Sequence, residues 1–381
     1  MDPIHRLREL GQSVWLDFVD HRIIESGDLD RLIRHEGLRG MTSNPTIFQK
    51  SIAASSDYDA LIRGAPADES DGSVFDRLAA ADVALACDRF RALYDETDGA
   101  DGFVSIEVSP RLARDTTGTI REARRLWSSV SRPNAMVKIP GTREGLAAIE
   151  QCLTEGININ ITLLFAIDRY VEVAGAYARA LEARLRDGAP IDRIASVASF
   201  FVSRVDTKVD AALDRLDVAP AVGALRGERR RAERGRAAIA NAKLAYEQFE
   251  RIRGSERWQR LAASGARPQR LLWASTSPKD PRYPDLMYAE ALIGPDTVDT
   301  MTKETFHAFA ERGRPEARLP LGRDEAREHV AALAALGIDL PRVADELEEE
   351  GIRLFAASFD GALATIAEKR RASRRRTADP A

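Results

Sequence analysis

The chain has 381 residues and a formal net charge of -4, with 44% hydrophobic and 30% charged residues. That balance supplies apolar surface for a sizeable core and argues against bulk disorder, while the small net charge offers no global field to gather nucleic acid, leaving only a local basic patch for a small anion. Cys87 and Cys152 form neither a disulfide framework nor a close metal-ligand pair, no stretch reaches the roughly 20 apolar residues that span a bilayer, and the opening MDPIHRLREL lacks a signal-peptide core. The expected setting is cytoplasmic and reducing.

Short β-rich segments alternate with helical patterns along the chain, as parallel βα units do. The predicted strands are 14–19, 38–42, 103–109, 135–139, 158–164, 195–202, 270–275 and 297–301. Eight is the number that closes a (β/α)8 TIM barrel. Between them, Pro45 suits the first turn of a helix after Asn44, Asp115 can cap a helix over 116–130, and Thr142 can cap one over 143–153. A doubly wound open sheet is the structural rival, weakened because no Gly-rich dinucleotide fingerprint follows an early strand. The whole chain, 1–381, reads as one barrel domain with additions: a helical stretch over 73–94, a basic insertion at 226–236, a C-terminal helical extension over 323–369, and a frayed basic tail over 370–381.

The segment AMVKIPGT places Lys138 on the strand face opposite Val137 and Ile139, near the C-terminal end where barrel enzymes keep their active sites. A lysine must be uncharged to attack a carbonyl, and an apolar wall favours the neutral amine by desolvation. Asp17 and Glu107 interrupt strongly apolar strands; each is either neutralised by an arginine or held at the barrel mouth to move protons. Asn160, Thr162, Ser199 and Ser275 are further polar residues that alternation can turn inward, the alternative being satisfied core hydroxyls and amides. The five histidines are scattered and show no ligand spacing, so no metal is expected.

The segments VWLDFV, GMTSNPTIF, VSIEVSP, MVKIPGT, NITLLF, SFFVSRVD and DTVDTMT, in this order from about residue 14 to 309, resemble the transaldolase family of class I Schiff-base enzymes. The resemblance implies a cofactor-free enzyme in which Lys138 forms the Schiff base with a ketose and Asp17 exchanges the proton of the C4 hydroxyl. It further implies that Glu107 and Thr162 hold the water of iminium formation and hydrolysis. Asn44, Asn160 and Ser199 would orient the ketol hydroxyls, and Arg204, helped by Ser275, would grip the phosphate. An arginine common after the strand serine in that family is replaced here by Ser277-Pro278-Lys279, so Lys279, with Ser277, is expected to supply the second phosphate contact; its alternative is a solvated loop lysine. Thr302 stands where a proline is common.

The implied partners are sugar phosphates, fructose 6-phosphate or sedoheptulose 7-phosphate donating a dihydroxyacetone unit to an aldose phosphate in the non-oxidative pentose phosphate pathway. Neither nucleic acid nor membrane is among the expected partners, and a homodimer is the assembly considered. Two alternatives remain at this stage. One is a fructose 6-phosphate aldolase, whose members typically carry Gln at Glu107 and Tyr at Phe201; the other is a barrel that binds sugar phosphates without turnover.

Overall fold

The computed structural model describes residues 2–217 and 232–378. Its eight strands are β1 (Gln12–Asp17), β2 (Gly40–Thr42), β3 (Phe103–Glu107), β4 (Ala135–Pro140), β5 (Ile159–Leu164), β6 (Ser196–Phe201), β7 (Arg270–Ala274) and β8 (Thr297–Met301). All neighbours run parallel, and β8 returns to pair with β1 from Gln12↔Thr297 to Leu16↔Met301. The closed barrel removes the open-sheet rival. Five of the eight predicted strands were long by one or two residues and the first was displaced by two toward the C-terminus, apolar residues such as Val19 and Val108 being buried beyond the strand ends.

Local chemistry sets the helix starts. Asn44, Asp115 and Thr142 accept hydrogen bonds from the backbone N–H groups of Ile47 (3.1 Å), Gly118 (2.9 Å) and Gly145 (3.0 Å). Each satisfies a donor that the first helical turn leaves free. The helices then run Pro45–Ala54, Thr116–Val130 and Arg143–Thr154. The stretch predicted over 73–94 is one helix, Asp71–Glu96. No helix among the described residues is long and apolar enough to cross a membrane.

The barrel interior is filled low down by large side chains, Trp15 of β1 meeting Phe103 of β3 with ring centroids 6.4 Å apart. Below them an ionic floor closes the N-terminal end. Asp101 accepts from Arg39 Nε (3.0 Å), Arg270 Nη2 (3.1 Å) and Ser13 Oγ (2.7 Å), and Arg270 Nη1 also reaches Ser13 Oγ at 2.8 Å. Gly40 lies against Trp15, and a Cβ there would approach the indole within 2.6 Å. Since Trp15 is fully buried, Gly40→Ala is expected to lower stability by about 1–3 kcal/mol through overpacking. Urea unfolding of the two proteins measures this; an unchanged midpoint contradicts it.

The C-terminal region departs from expectation. Of the basic insertion at 226–236, residues 226–231 lie outside the described residues. Beyond the helix Arg323–Ala335, a single helix Leu340–Ala378 continues past Lys369, where the tail was expected to begin. Phe355, Phe359, Ala362 and Ile366 are buried at helical spacing, and Arg370 continues that stripe. Its guanidinium donates to Asp71 Oδ1 and to the carbonyls of Glu69 and Pro66, each at 2.7 Å, so charge at this position ties the helix down.

Candidate active site

Strand register builds the site. Glu107 of β3 pairs with Lys138 of β4, Lys138 with Asn160 of β5, and Asp17 of β1 with Thr42 of β2. A row of polar side chains therefore crosses the C-terminal end of the barrel. Above it opens a cavity of about 440 Å³, lined among others by Asp17, Asn44, Lys138, Ser199, Phe201, Arg204, Ser275 and Lys279. Eight of the eleven residues singled out from the sequence thus meet in one chamber. The other three, Glu107, Asn160 and Thr162, are not on its wall but in the buried layer around Lys138.

The Lys138 side chain is 6% exposed and that of Glu107 3%, with Nζ and Oε2 3.4 Å apart. Nζ donates to the carbonyl oxygen of Ser43 at 3.2 Å. Among the described residues, both Glu107 carboxylate oxygens and Thr162 Oγ1 are buried without a hydrogen-bond partner. Burial drives the Glu107 carboxyl up to about 7, against the pull of the Lys138 charge and with a smaller push from Asp17. Such a group can both give and take a proton near neutrality.

The raised value carries a stability consequence opposite in sign to the usual carboxylate. Between its ordinary value of 4.5 and about 7, Glu107 keeps a proton in the folded chain that the unfolded chain has lost. Its stabilising contribution is complete below that window and disappears as pH rises through it. Glu107→Gln should flatten the loss of stability between about pH 4.5 and 7. Melting curves across this range test it, and a slope identical to the parent's refutes it.

The pairing of Asp17 or Glu107 with arginine, weighed from the sequence, is absent among the described residues; Arg39 and Arg270 pair instead with Asp101 at the barrel's floor. Asp17 Oδ1 accepts from Thr42 Oγ1 at 2.8 Å and lies 3.5 Å from Asn44 Nδ2. Thr42 Oγ1 is in turn 3.0 Å from Thr300 Oγ1. Asn160 is fully engaged within the wall: its Nδ2 donates to Ser105 Oγ (3.0 Å) and its Oδ1 accepts from Ser199 Oγ (2.7 Å). It therefore orients Ser199. Next to it Leu163 adopts φ of 59° where the β5–β6 register shifts, a local irregularity of the kind found beside active sites.

At the mouth, the Arg204 guanidinium lies 6.0 Å from the Phe201 ring centroid. Lys279 is exposed along its side chain, yet lost hydration and then the Arg204 charge hold its ammonium below the usual lysine range. Among the described residues neither cation has a carboxylate partner within ion-pair distance, on a molecule whose other arginines are extensively paired. Two like charges left uncompensated at one end of a cavity suit a dianionic group. Ser277 Oγ is committed to Thr305 Oγ1 at 2.7 Å. Thr302 accepts from Thr305 N at 3.2 Å and so caps the helix Lys303–Arg312 with a side chain proline does not have.

Sequence reasoning missed several contributors. Thr42 and Thr300 complete the surroundings of Asp17, and both stand in motifs already singled out. Phe355, on the long C-terminal helix, reaches over the chamber with its ring centroid 5.9 Å from Lys138 Nζ. Its apolar stripe was the available signal. Lys303 stands with Nζ 3.6 Å from the centroid of the Phe18 ring on the cavity wall. Among the described residues no group of three or more His, Cys, Asp or Glu side chains is placed to hold a metal ion.

Comparison with known proteins matches residues 14–366 to the model of the Transaldolase/Fructose-6-phosphate aldolase family. The chain is 45% identical over 367 residues to Transaldolase 2 of Nostoc sp., covering 95% of this chain and 96% of that one. It is 46% identical over 369 residues to a transaldolase of Parafrankia sp., with coverage of 96% and 98%. With a transaldolase of Acidothermus cellulolyticus it shares 44% identity over 380 residues, covering 98% of each. A closed barrel carrying a buried lysine beside a buried carboxylate, matched along nearly its whole length by these relatives, belongs to the transaldolase/fructose-6-phosphate aldolase family.

Proposed function

We propose that this chain is a transaldolase that moves a dihydroxyacetone unit from fructose 6-phosphate or sedoheptulose 7-phosphate to glyceraldehyde 3-phosphate or erythrose 4-phosphate. The carrying observation is the buried Lys138 amine beside Glu107 at the base of a chamber whose far rim holds Arg204 and Lys279. A ketose phosphate has the matching polarity, with a carbonyl at one end and a dianion at the other.

In this reading Lys138 Nζ adds to the C2 carbonyl, and the carbinolamine loses water to give an iminium. Glu107, with Thr162, supplies and removes the protons of that dehydration. Asp17 takes the C4 hydroxyl proton; the C3–C4 bond breaks, its electron pair passes into the iminium, and an enamine remains on Lys138 as the aldose phosphate departs. An incoming aldose phosphate reverses the sequence: the enamine carbon attacks the aldehyde, Asp17 returns the proton, and hydrolysis frees Lys138. Ser199, oriented by Asn160, and Asn44 align the ketol hydroxyls, while Phe201 and Phe355 keep bulk water from the enamine. Arg204 and Lys279, with Ser275, hold the phosphate. The setting is the cytoplasm, and a homodimer is the assembly that sizing in solution should return.

Borohydride reduction in the presence of fructose 6-phosphate, followed by peptide mapping, should place a three-carbon adduct on Lys138. No adduct there would instead indicate a binding protein. Glu107 and Phe201, where the aldolase members of the family typically carry Gln and Tyr, favour transfer. Rapid multiple-turnover release of free dihydroxyacetone from donor alone would reverse that choice.

A further inference from the structure

β7 ends at Ala274, and each of the next three residues is fastened to a different element. Ser275 Oγ lies 2.9 Å from Ser203 Oγ, and its carbonyl accepts from Ser203 N at 3.1 Å, tying it to the helix that follows β6. Thr276 Oγ1 donates to Asp299 Oδ1 of β8 at 2.9 Å. Ser277 is held by Thr305, in the helix after β8. The turn is held under strain, Ser275 having a left-handed φ of 59° that a non-glycine residue adopts only when its surroundings impose it. All three residues line the cavity, and two positions later comes Lys279.

Asp299 is the unusual member of this tripod. It is fully buried, and among the described residues it has no cation at ion-pair distance and its second oxygen, Oδ2, has no hydrogen-bond partner. Burial raises its carboxyl to about 7. Strand alternation sets it on the face opposite Thr300, which lines the cavity, so substrate does not touch it. An ionisable group buried this deeply is expensive to keep, and among the described residues Thr276 is the hydrogen-bond partner its side chain has.

We propose that Asp299 is a positioning residue for phosphate recognition: through Thr276 it fixes the strained turn after β7, and thereby the placement of Ser275 and Lys279 opposite Arg204. The inference rests on the transaldolase reading, in which that rim takes the phosphate. It separates the phosphate end of the site, which depends on Asp299, from the Lys138 end, which does not.

The test compares Thr276→Val, which removes the donor at nearly constant volume, with Thr276→Ser and Asp299→Asn, which keep the hydrogen bond. Three quantities are measured: KM for glyceraldehyde 3-phosphate, the inhibition constant of inorganic phosphate, and the rate at which unphosphorylated dihydroxyacetone is trapped on Lys138 by borohydride. Thr276→Val should raise the first two by about tenfold and leave trapping and kcat within about twofold, as loss of uniform binding does. The two conservative variants should stay near the parent. Asp299→Leu approaches the same contact from the other side and should show the same split, which guards against a folding failure in one variant. Equal loss of trapping and phosphate affinity, or no loss of phosphate affinity, overturns the proposal. A parent that turns over no sugar phosphate would instead refute the transaldolase reading.

Discussion

Lys138→Met is expected to abolish ketol transfer, lowering kcat by at least about 10⁴-fold, in line with the loss of other covalent nucleophiles. Methionine keeps an unbranched stem of similar volume in a site where the lysine side chain is only 6% exposed, so packing is preserved. It also removes a cation whose charge draws the Glu107 carboxyl downward, leaving that group more fully protonated and hence tolerably buried. The variant should therefore melt no lower than about 2 °C below the parent while showing no turnover. A coupled assay for aldose phosphate release, run beside a thermal melt, separates chemistry from folding. Transfer at the parental rate would end the Schiff-base account.

Asp17→Ala is expected to lower kcat by about 10²–10⁴-fold, the usual range for a positioned general acid and base. Its signature matters more than its size. Asp17 stands apart from the Lys138–Glu107 pair, anchored by Thr42 on the neighbouring strand. Iminium formation therefore survives its removal, and only C3–C4 cleavage stalls. Borohydride should then trap the complete donor on Lys138 instead of the three-carbon fragment, a difference that mass spectrometry reads directly. Recovery of the three-carbon adduct at the parental rate would remove Asp17 from the cleavage step.

The parts of this site that could be read from the sequence are those encoded locally. Lys138 between Val137 and Ile139, ending at Pro140 and Gly141, declares a strand, a facing and an end within a few residues. Asn44, Asp115 and Thr142 announce their helices by cap chemistry that spans three residues. Asn160 shows the limit: its strand and inward facing were legible, but its engagement with Ser105 and Ser199 depends on residues 55 and 39 positions away, which only barrel closure brings together. Phe355 lies further still from Lys138 in sequence, and a buried aromatic on an amphipathic helix gives no sign of which chamber it covers. Arg370 was misread for a related reason. A basic run normally marks a solvated end, and the carbonyls that receive this guanidinium belong to a loop some 300 residues earlier.

The ionic floor formed by Ser13, Arg39, Asp101 and Arg270 closes the N-terminal end beneath the reaction chamber, whose doorway among the described residues is at the C-terminal end. The aldose phosphate leaving after the first half-reaction and the one arriving for the second must use that doorway in turn. Traffic alone thus imposes an alternation of release and entry, and a sugar phosphate lodged at the rim would obstruct both directions of exchange at once.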